Sequence, residues 1–170
     1  MRRVRYSVAM SLDGYIAGPN GEFDWIPMDP DIDFAALFRQ FDTILMGRKS
    51  YEAARSQGGG GMPGMQAYVF SKTLRQADCR DATVSADAKT TVTALKQKPG
   101  KDIWLFGGGE LFKSLLDLGL VDEVELGIIP VLLGGGLPML PSPAKSAQLK
   151  LTSHRIYEKT GTVLLKYAVK

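Results

Sequence analysis

Apolar positions along this chain alternate between strand and helix periods. Val4 to Met10 is rich in β-formers, lacks Gly and Pro, and predicts a first strand ending in the Ser11-Leu12-Asp13-Gly14 turn. Tyr15-Ile16-Ala17 is a short extended piece, and Gly18 to Gly21 reads as a loop. Ile32, Leu37, Phe38 and Phe41 recur at helical spacing, so Asp31 to Gln40 predicts a helix with an acidic first turn suited to its dipole. Thr43 to Met46 is a brief apolar strand, and Gly47-Arg48-Lys49-Ser50 opens a helix through Arg55. Gly58 to Gly64 predicts a flexible loop. Ala67–Phe70, Ala82–Ser85, Ile103–Phe106 and Val124–Ile129 read as further strands, with helices over Thr90–Gln97 and Glu110–Leu118. Val131 to Pro143 is an irregular Gly/Pro loop, and Leu149–Glu158 and Thr162–Val169 form a closing hairpin.

Strands alternating with helices, closed by two consecutive strands, predict an α/β fold. We expect one three-layer domain over residues 1–170. Its central mixed sheet is mostly parallel, flanked by helices, with an antiparallel edge at the C-terminus. There is no internal repeat and no linker-like stretch.

Composition narrows the classes. Apolar residues make up 45% and charged residues 23% of the 170, ordinary values for a globular domain and not for a disordered or membrane-embedded one. The 21 basic and 18 acidic residues leave a net charge of +3, too small and dispersed to imply a nucleic-acid partner. The Arg2-Arg3-Arg5 group is expected to solvate the first strand, and alternation is expected to turn Glu123 and Glu125 outward. One cysteine, Cys79, and one histidine, His154 in a polar stretch, exclude an internal disulfide, a cysteine-based zinc site and a two-histidine metal centre. No apolar run reaches the roughly 20 residues of a membrane span, and no signal-peptide pattern precedes the first strand, so the expected location is cytoplasmic.

In an open α/β sheet, ligands bind beyond the carboxyl ends of the strands. Two strand-to-helix junctions there suit phosphate. Three successive glycines in Phe106-Gly107-Gly108-Gly109-Glu110 let the backbone approach a ligand, and the following helix start offers free N–H groups. Met46-Gly47-Arg48-Lys49-Ser50 adds two cations to a second helix start. Neither matches the spacing of the common dinucleotide fingerprint or of a Walker loop.

Taken in order, Ala9-Met10-Ser11-Leu12-Asp13-Gly14-Tyr15-Ile16-Ala17, Asp24-Trp25, Met46 to Glu52, Val69-Phe70-Ser71-Lys72-Thr73, Phe106 to Phe112 and Pro130 to Pro138 resemble the dihydrofolate reductase superfamily. The likeness is closest to the branch of the riboflavin-biosynthesis pyrimidine reductase C-terminal domain. It implies NADPH as cofactor and hydride transfer to a small pyrimidine-, ribosylamino- or pteridine-type substrate, similar to 5-amino-6-(5-phosphoribosylamino)uracil reductase. Folate-type reduction and a non-catalytic NADPH-binding module are the alternatives. It further implies that Gly47, Arg48, Lys49 and Ser50, with Ser71 and Lys72, hold the 2′-phosphate end. Gly107, Gly108, Gly109, Glu110 and Leu111 would lie against the pyrophosphate, and Ala9 and Ile16 would flank the nicotinamide. Relatives in this branch commonly pair through the late strands and the Gly/Pro loop around 130–143, so a homodimer is expected. With no deaminase-like segment ahead of the first strand, a stand-alone reductase is the expectation.

The substrate side leaves alternatives open. In the folate enzymes one carboxylate early in the first helix holds the pterin. Counting back from Gly47 favours Asp31, whereas a helix two residues shorter favours Asp33, and either could simply cap the helix. Asp13 either orients substrate, orders the active-site loop or belongs to an ordinary Asp-Gly turn, and Trp25 either walls the substrate pocket or packs over the core edge.

Overall fold

The computed structural model describes residues 1–59 and 61–170; the expected loop from Gly58 to Gly64 includes Gly60, which lies outside the described residues. The elements follow in the order β1 (Val4–Ser11), β2 (Tyr15–Ala17), α1 (Phe34–Phe38), β3 (Phe41–Gly47), α2 (Arg48–Ser56), β4 (Gln66–Phe70), β5 (Thr83–Ser85) and α3 (Ala88–Gln97). After these come β6 (Asp102–Gly107), α4 (Gly109–Asp117), β7 (Glu123–Ile129), β8 (Leu137–Pro138), β9 (Leu149–Tyr157) and β10 (Thr162–Val169). The large sheet has the order β5-β4-β3-β6-β1-β7-β10-β9. Its first six strands are mutually parallel. β10 then runs antiparallel to β7, and β9 antiparallel to β10. This is the mixed α/β fold with the antiparallel edge that the element order predicts.

Period-two alternation assigns each sheet residue to one of two cores. Val4, Tyr6, Leu45, Leu105 and Val124 face α3 and α4, which contribute Val92, Leu95, Leu111, Phe112 and Leu115. The rings of Tyr6 and Phe112 stack with centroids 3.9 Å apart. Ile44, Met46, Val69 and Trp104 face the other way, against Tyr51 of α2 and Leu37 and Phe38 of α1. No helix among the described residues is long and apolar enough to cross a membrane.

Four sequence expectations need correction. The first helix is not Asp31 to Gln40 but only Phe34–Phe38, with Asp33 as its N-cap accepting the Ala36 N–H at 2.8 Å. The chain before it is held elsewhere: Asp29 accepts the Asp31 N–H and the Thr160 hydroxyl, and Asp31 pairs with Lys159 at 2.9 Å. Tertiary bonds to the β9–β10 turn therefore override helical spacing over residues 29–31.

Glu125 does not face solvent, and Glu123 is only partly exposed. Alternation does separate Glu125 from Val124 and Leu126, but onto a face inside the molecule, where Arg5 and Lys166 close over it. Arg2 and Arg5, expected to solvate the first strand, are buried too. Arg2 bonds Asp42 and Thr43, and Arg5 sits among Glu123, Glu125, Asp102 and Gln40. Finally, the irregular loop after β7 contains the two-residue β8, which pairs with β2.

Candidate functional site

A cleft of about 1790 Å³ opens along the carboxyl ends of β1, β3 and β6 and continues over the sheet to β9. That exceeds an ordinary single-ligand pocket and leaves room for a dinucleotide beside a second molecule. Two helices begin at its edge. α2 starts from Gly47 and α4 from Gly108, and neither N-cap position supplies a side-chain hydrogen bond to its helix. The first-turn N–H groups are thus left for a ligand, each terminus carrying about half a positive charge.

The two starts adjoin one another. A Cβ on Gly47 would lie 3.8 Å from the Gly107 carbonyl oxygen and 3.9 Å from the Gly108 nitrogen, and one on Gly108 would lie 3.5 Å from the Ser50 hydroxyl. The chain turns here on Gly107, whose φ of +122° is a left-handed-side conformation that suits glycine. Gly109 cannot carry a side chain for a different reason. Its Cβ would meet the Pro138 carbonyl oxygen at 2.6 Å, so α4 begins pressed against the end of β8.

Gly47, Arg48, Lys49 and Ser50 line this end, as do Gly108, Gly109, Glu110 and Leu111; Gly107 is one residue behind the wall. Arg48 lies at the surface in an i,i+4 ion pair with Glu52 at 3.1 Å, a contact weak enough to exchange for a stronger anion. Ser71 and Lys72 are off the wall, immediately after Phe70, which is on it. Register sets Phe70 opposite Gly47, so the chain leaves the sheet toward Ser71 beside Arg48. The Ser71 hydroxyl is occupied in its own turn, accepting the Thr73 and Leu74 N–H groups at 3.1 and 3.0 Å.

Ala9 and Ile16 line the middle of the cleft, giving a small apolar surface next to the phosphate-suited end. The residues present therefore fit a pyridine dinucleotide: free N–H groups and cations for its phosphates, and apolar contacts for its ring.

The three candidate carboxylates separate. Asp33 is on the cleft wall, whereas Asp31 is turned to Lys159 and Asp13 is behind the wall. Asp13 ties the β1–β2 turn to the loop before β8, accepting the Ser11 hydroxyl at 2.7 Å and the N–H groups of Leu133 and Gly134 at 3.1 and 2.8 Å. The Ser11 bond, opposed by the cost of leaving water and aided by the two N–H groups, holds its carboxyl below the usual carboxylate range. Trp25 is not on the wall either; its Nε1 donates to the Glu22 carbonyl at 3.0 Å, while its neighbour Ile26 lines the cleft.

Sequence reasoning missed the far end. Between Leu45 and Met46 the register with β6 slips by one, leaving Phe106 unpaired and swung into the cleft, its ring edge-on to Trp104. Glu125, Leu164 and Lys166 line the same region, with His154 and Arg155 farther out. The available signal was Gly127, a glycine inside a strand, which marks a close approach.

Comparison with known proteins agrees with this geometry. A family model described as the RibD C-terminal domain matches residues 2–164. The uncharacterized protein YyaP of Bacillus subtilis (strain 168) is 37% identical, over 98% of this chain and 94% of its own. Among solved structures, a protein from Shewanella sp. PV-4 assigned to riboflavin biosynthesis is 25% identical, with a TM-score of 0.84 over 100% of this chain and 99% of that one. A dihydrofolate reductase from Enterococcus faecalis, complexed with NADP(H), shares the fold with a TM-score of 0.73, at 16% identity over 99% and 96% of the two chains.

Proposed function

Because this chain belongs to the RibD C-terminal domain family, we propose that it is an NADPH-dependent reductase acting on a small pyrimidine-, ribosylamino- or pteridine-type heterocycle. The observation that carries the reading is the meeting of two uncapped helix starts, α2 and α4, at one end of one cleft. The first turn of α4, Gly109 to Leu111, and the Gly107-Gly108 corner before it hold the pyrophosphate through N–H groups. Arg48, Lys49 and Ser50, joined by Ser71 and Lys72 from the neighbouring strand end, hold the 2′-phosphate. Ala9 and Ile16 seat the nicotinamide and keep water from it. NADPH, when bound, supplies the hydride. The protein orients the two reactants and shields them, which converts a slow encounter into a positioned reaction. Asp33, on the cleft wall, is the carboxylate placed to manage the proton.

Arg48→Ala tests the phosphate site. The charge-assisted contact it removes sets the expected loss of NADPH affinity at roughly ten- to a hundredfold, with NADH affinity nearly unchanged. Fluorescence titration of both nucleotides reads this out, and a preference for NADPH that survives the substitution would overturn the phosphate site.

We also propose a homodimer formed on the outer face of β9. Leu149, Leu151 and Ile156 are 39%, 49% and 62% exposed there, and register sets them beside Val169, Tyr167 and Val163 of β10. An apolar strip of this kind on an edge strand is a pairing surface. Light scattering is expected to give twice the chain mass, falling to the single-chain mass in the L151D/I156D double variant. A wild-type monomer would rule the dimer out.

A further inference from the structure

Past Ala9 the floor of the cleft is built from small residues. Register places Ser7 beside Glu125 and Ala9 beside Gly127, while Leu164 stands next to Gly127 on the other side. Trp104 and Phe106 rise at one flank, and Phe38 of α1 stacks on Trp104 with centroids 5.3 Å apart. The result is a flat-floored slot with aromatic walls, a shape that admits a planar ring and offers it stacking partners.

A cluster of three charged side chains closes the inner end of this slot. The Glu125 side chain is only 4% exposed, yet it lines the cleft. Arg5 Nη2 at 2.8 Å and Lys166 Nζ at 3.0 Å both approach the same carboxylate oxygen, Oε2. Arg5 is itself fixed by Gln40 at 2.7 Å and by Glu123, so the carboxylate is held in one orientation. Oε1 accepts no hydrogen bond from any described residue. It is not one of the buried atoms left without a partner, so it is reached from the slot, where a ligand N–H can meet it. The Lys166 ammonium carries three N–H groups and lines the same wall, so it can also donate inward.

We propose that Glu125 and Lys166 are the specificity contacts for the substrate ring. Glu125 Oε1 accepts a ring N–H, and Lys166 donates to the carbonyl beside that N–H. The slot therefore selects planar lactam heterocycles whose ring nitrogens are unsubstituted. This rests on reading the opposite end of the cleft as the cofactor site, since that leaves the slot for substrate.

The test compares binding of lumazine, a pteridinedione with two ring N–H groups, with binding of 1,3-dimethyllumazine, which has none. Calorimetry on the full chain, with and without NADP+, is expected to show wild type favouring lumazine by roughly ten- to a hundredfold. In E125Q that preference collapses toward unity, because an amide no longer offers the same fixed anionic acceptor. K166M weakens lumazine but keeps the preference over the dimethyl compound. Equal wild-type affinity for the two pteridinediones, or no affinity for either, overturns the proposal without recourse to any variant. Because the ratio is also measured without nucleotide, a failure of NADP+ to bind would count against the cofactor site alone.

Discussion

Arg5→Met is expected to cost about 3–5 kcal/mol of folding stability, the range for removing one partner of a buried ion pair. Arg5 is 3% exposed and stands between acids: Glu125 at 2.8 Å, Glu123 at 3.2 Å and Asp102 at 3.4 Å. Its Nε approach to Glu123 is an ion-pair contact whose angle falls short of a hydrogen bond. The guanidinium also lies 4.8 Å from the centre of the Phe41 ring. Methionine fills much of the space but leaves Glu125 with Lys166 alone, so a carboxylate stays inside the protein with half its compensation. Urea denaturation should show a lower midpoint with an unchanged slope. Adding Glu125→Leu should recover most of the loss, because the orphaned charge and not the missing volume carries the penalty. A loss below about 1 kcal/mol would mean that water reaches Glu125 freely and that the slot is not a closed environment.

Asp33→Asn is expected to lower kcat by about a hundredfold or more with little change in stability. Asparagine caps a helix as well as aspartate does, so the bond to the Ala36 N–H survives and α1 persists. What disappears is a carboxylate on the cleft wall. NADPH oxidation, followed with whichever pteridine or pyrimidine the wild type turns over, reads the effect, and the affinity for NADPH itself should not move. Asp31→Asn serves as the control. Asp31 lies outside the cleft wall in an exposed pair with Lys159, where loss of the charge is worth little. An unchanged kcat in the Asp33 variant would reduce that residue to a helix cap.

Much of the architecture was legible in the sequence because local signals and the tertiary structure agree. Strand periods, helix starts and the closing hairpin gave the sheet its class and its antiparallel edge. The junctions after β3 and β6 stood out because apolar strands run straight into glycines. Elsewhere the decisive interaction lies far along the chain. Helix α1 is short because Asp29 and Asp31 bond Thr160 and Lys159, over a hundred residues away. Glu125 is buried because Arg5, 120 positions earlier, is its neighbour across the sheet. Alternation separated the two faces correctly but carried no information on which face meets water. Phe106 ends an apolar strand, yet with Trp104 on the same face it lines the cleft. These are the features that shape the β9 end of the cleft, which explains why the end at the starts of α2 and α4 was the easier one to read.

We propose that the paired starts of α2 and α4 grip the phosphates of NADPH. Isothermal titration of the purified chain with NADPH and then with NADH tests it most directly. Saturable binding of both is expected, tighter for NADPH by roughly tenfold or more. Absence of measurable heat with either nucleotide, under conditions where the chain is shown to be folded, would contradict it.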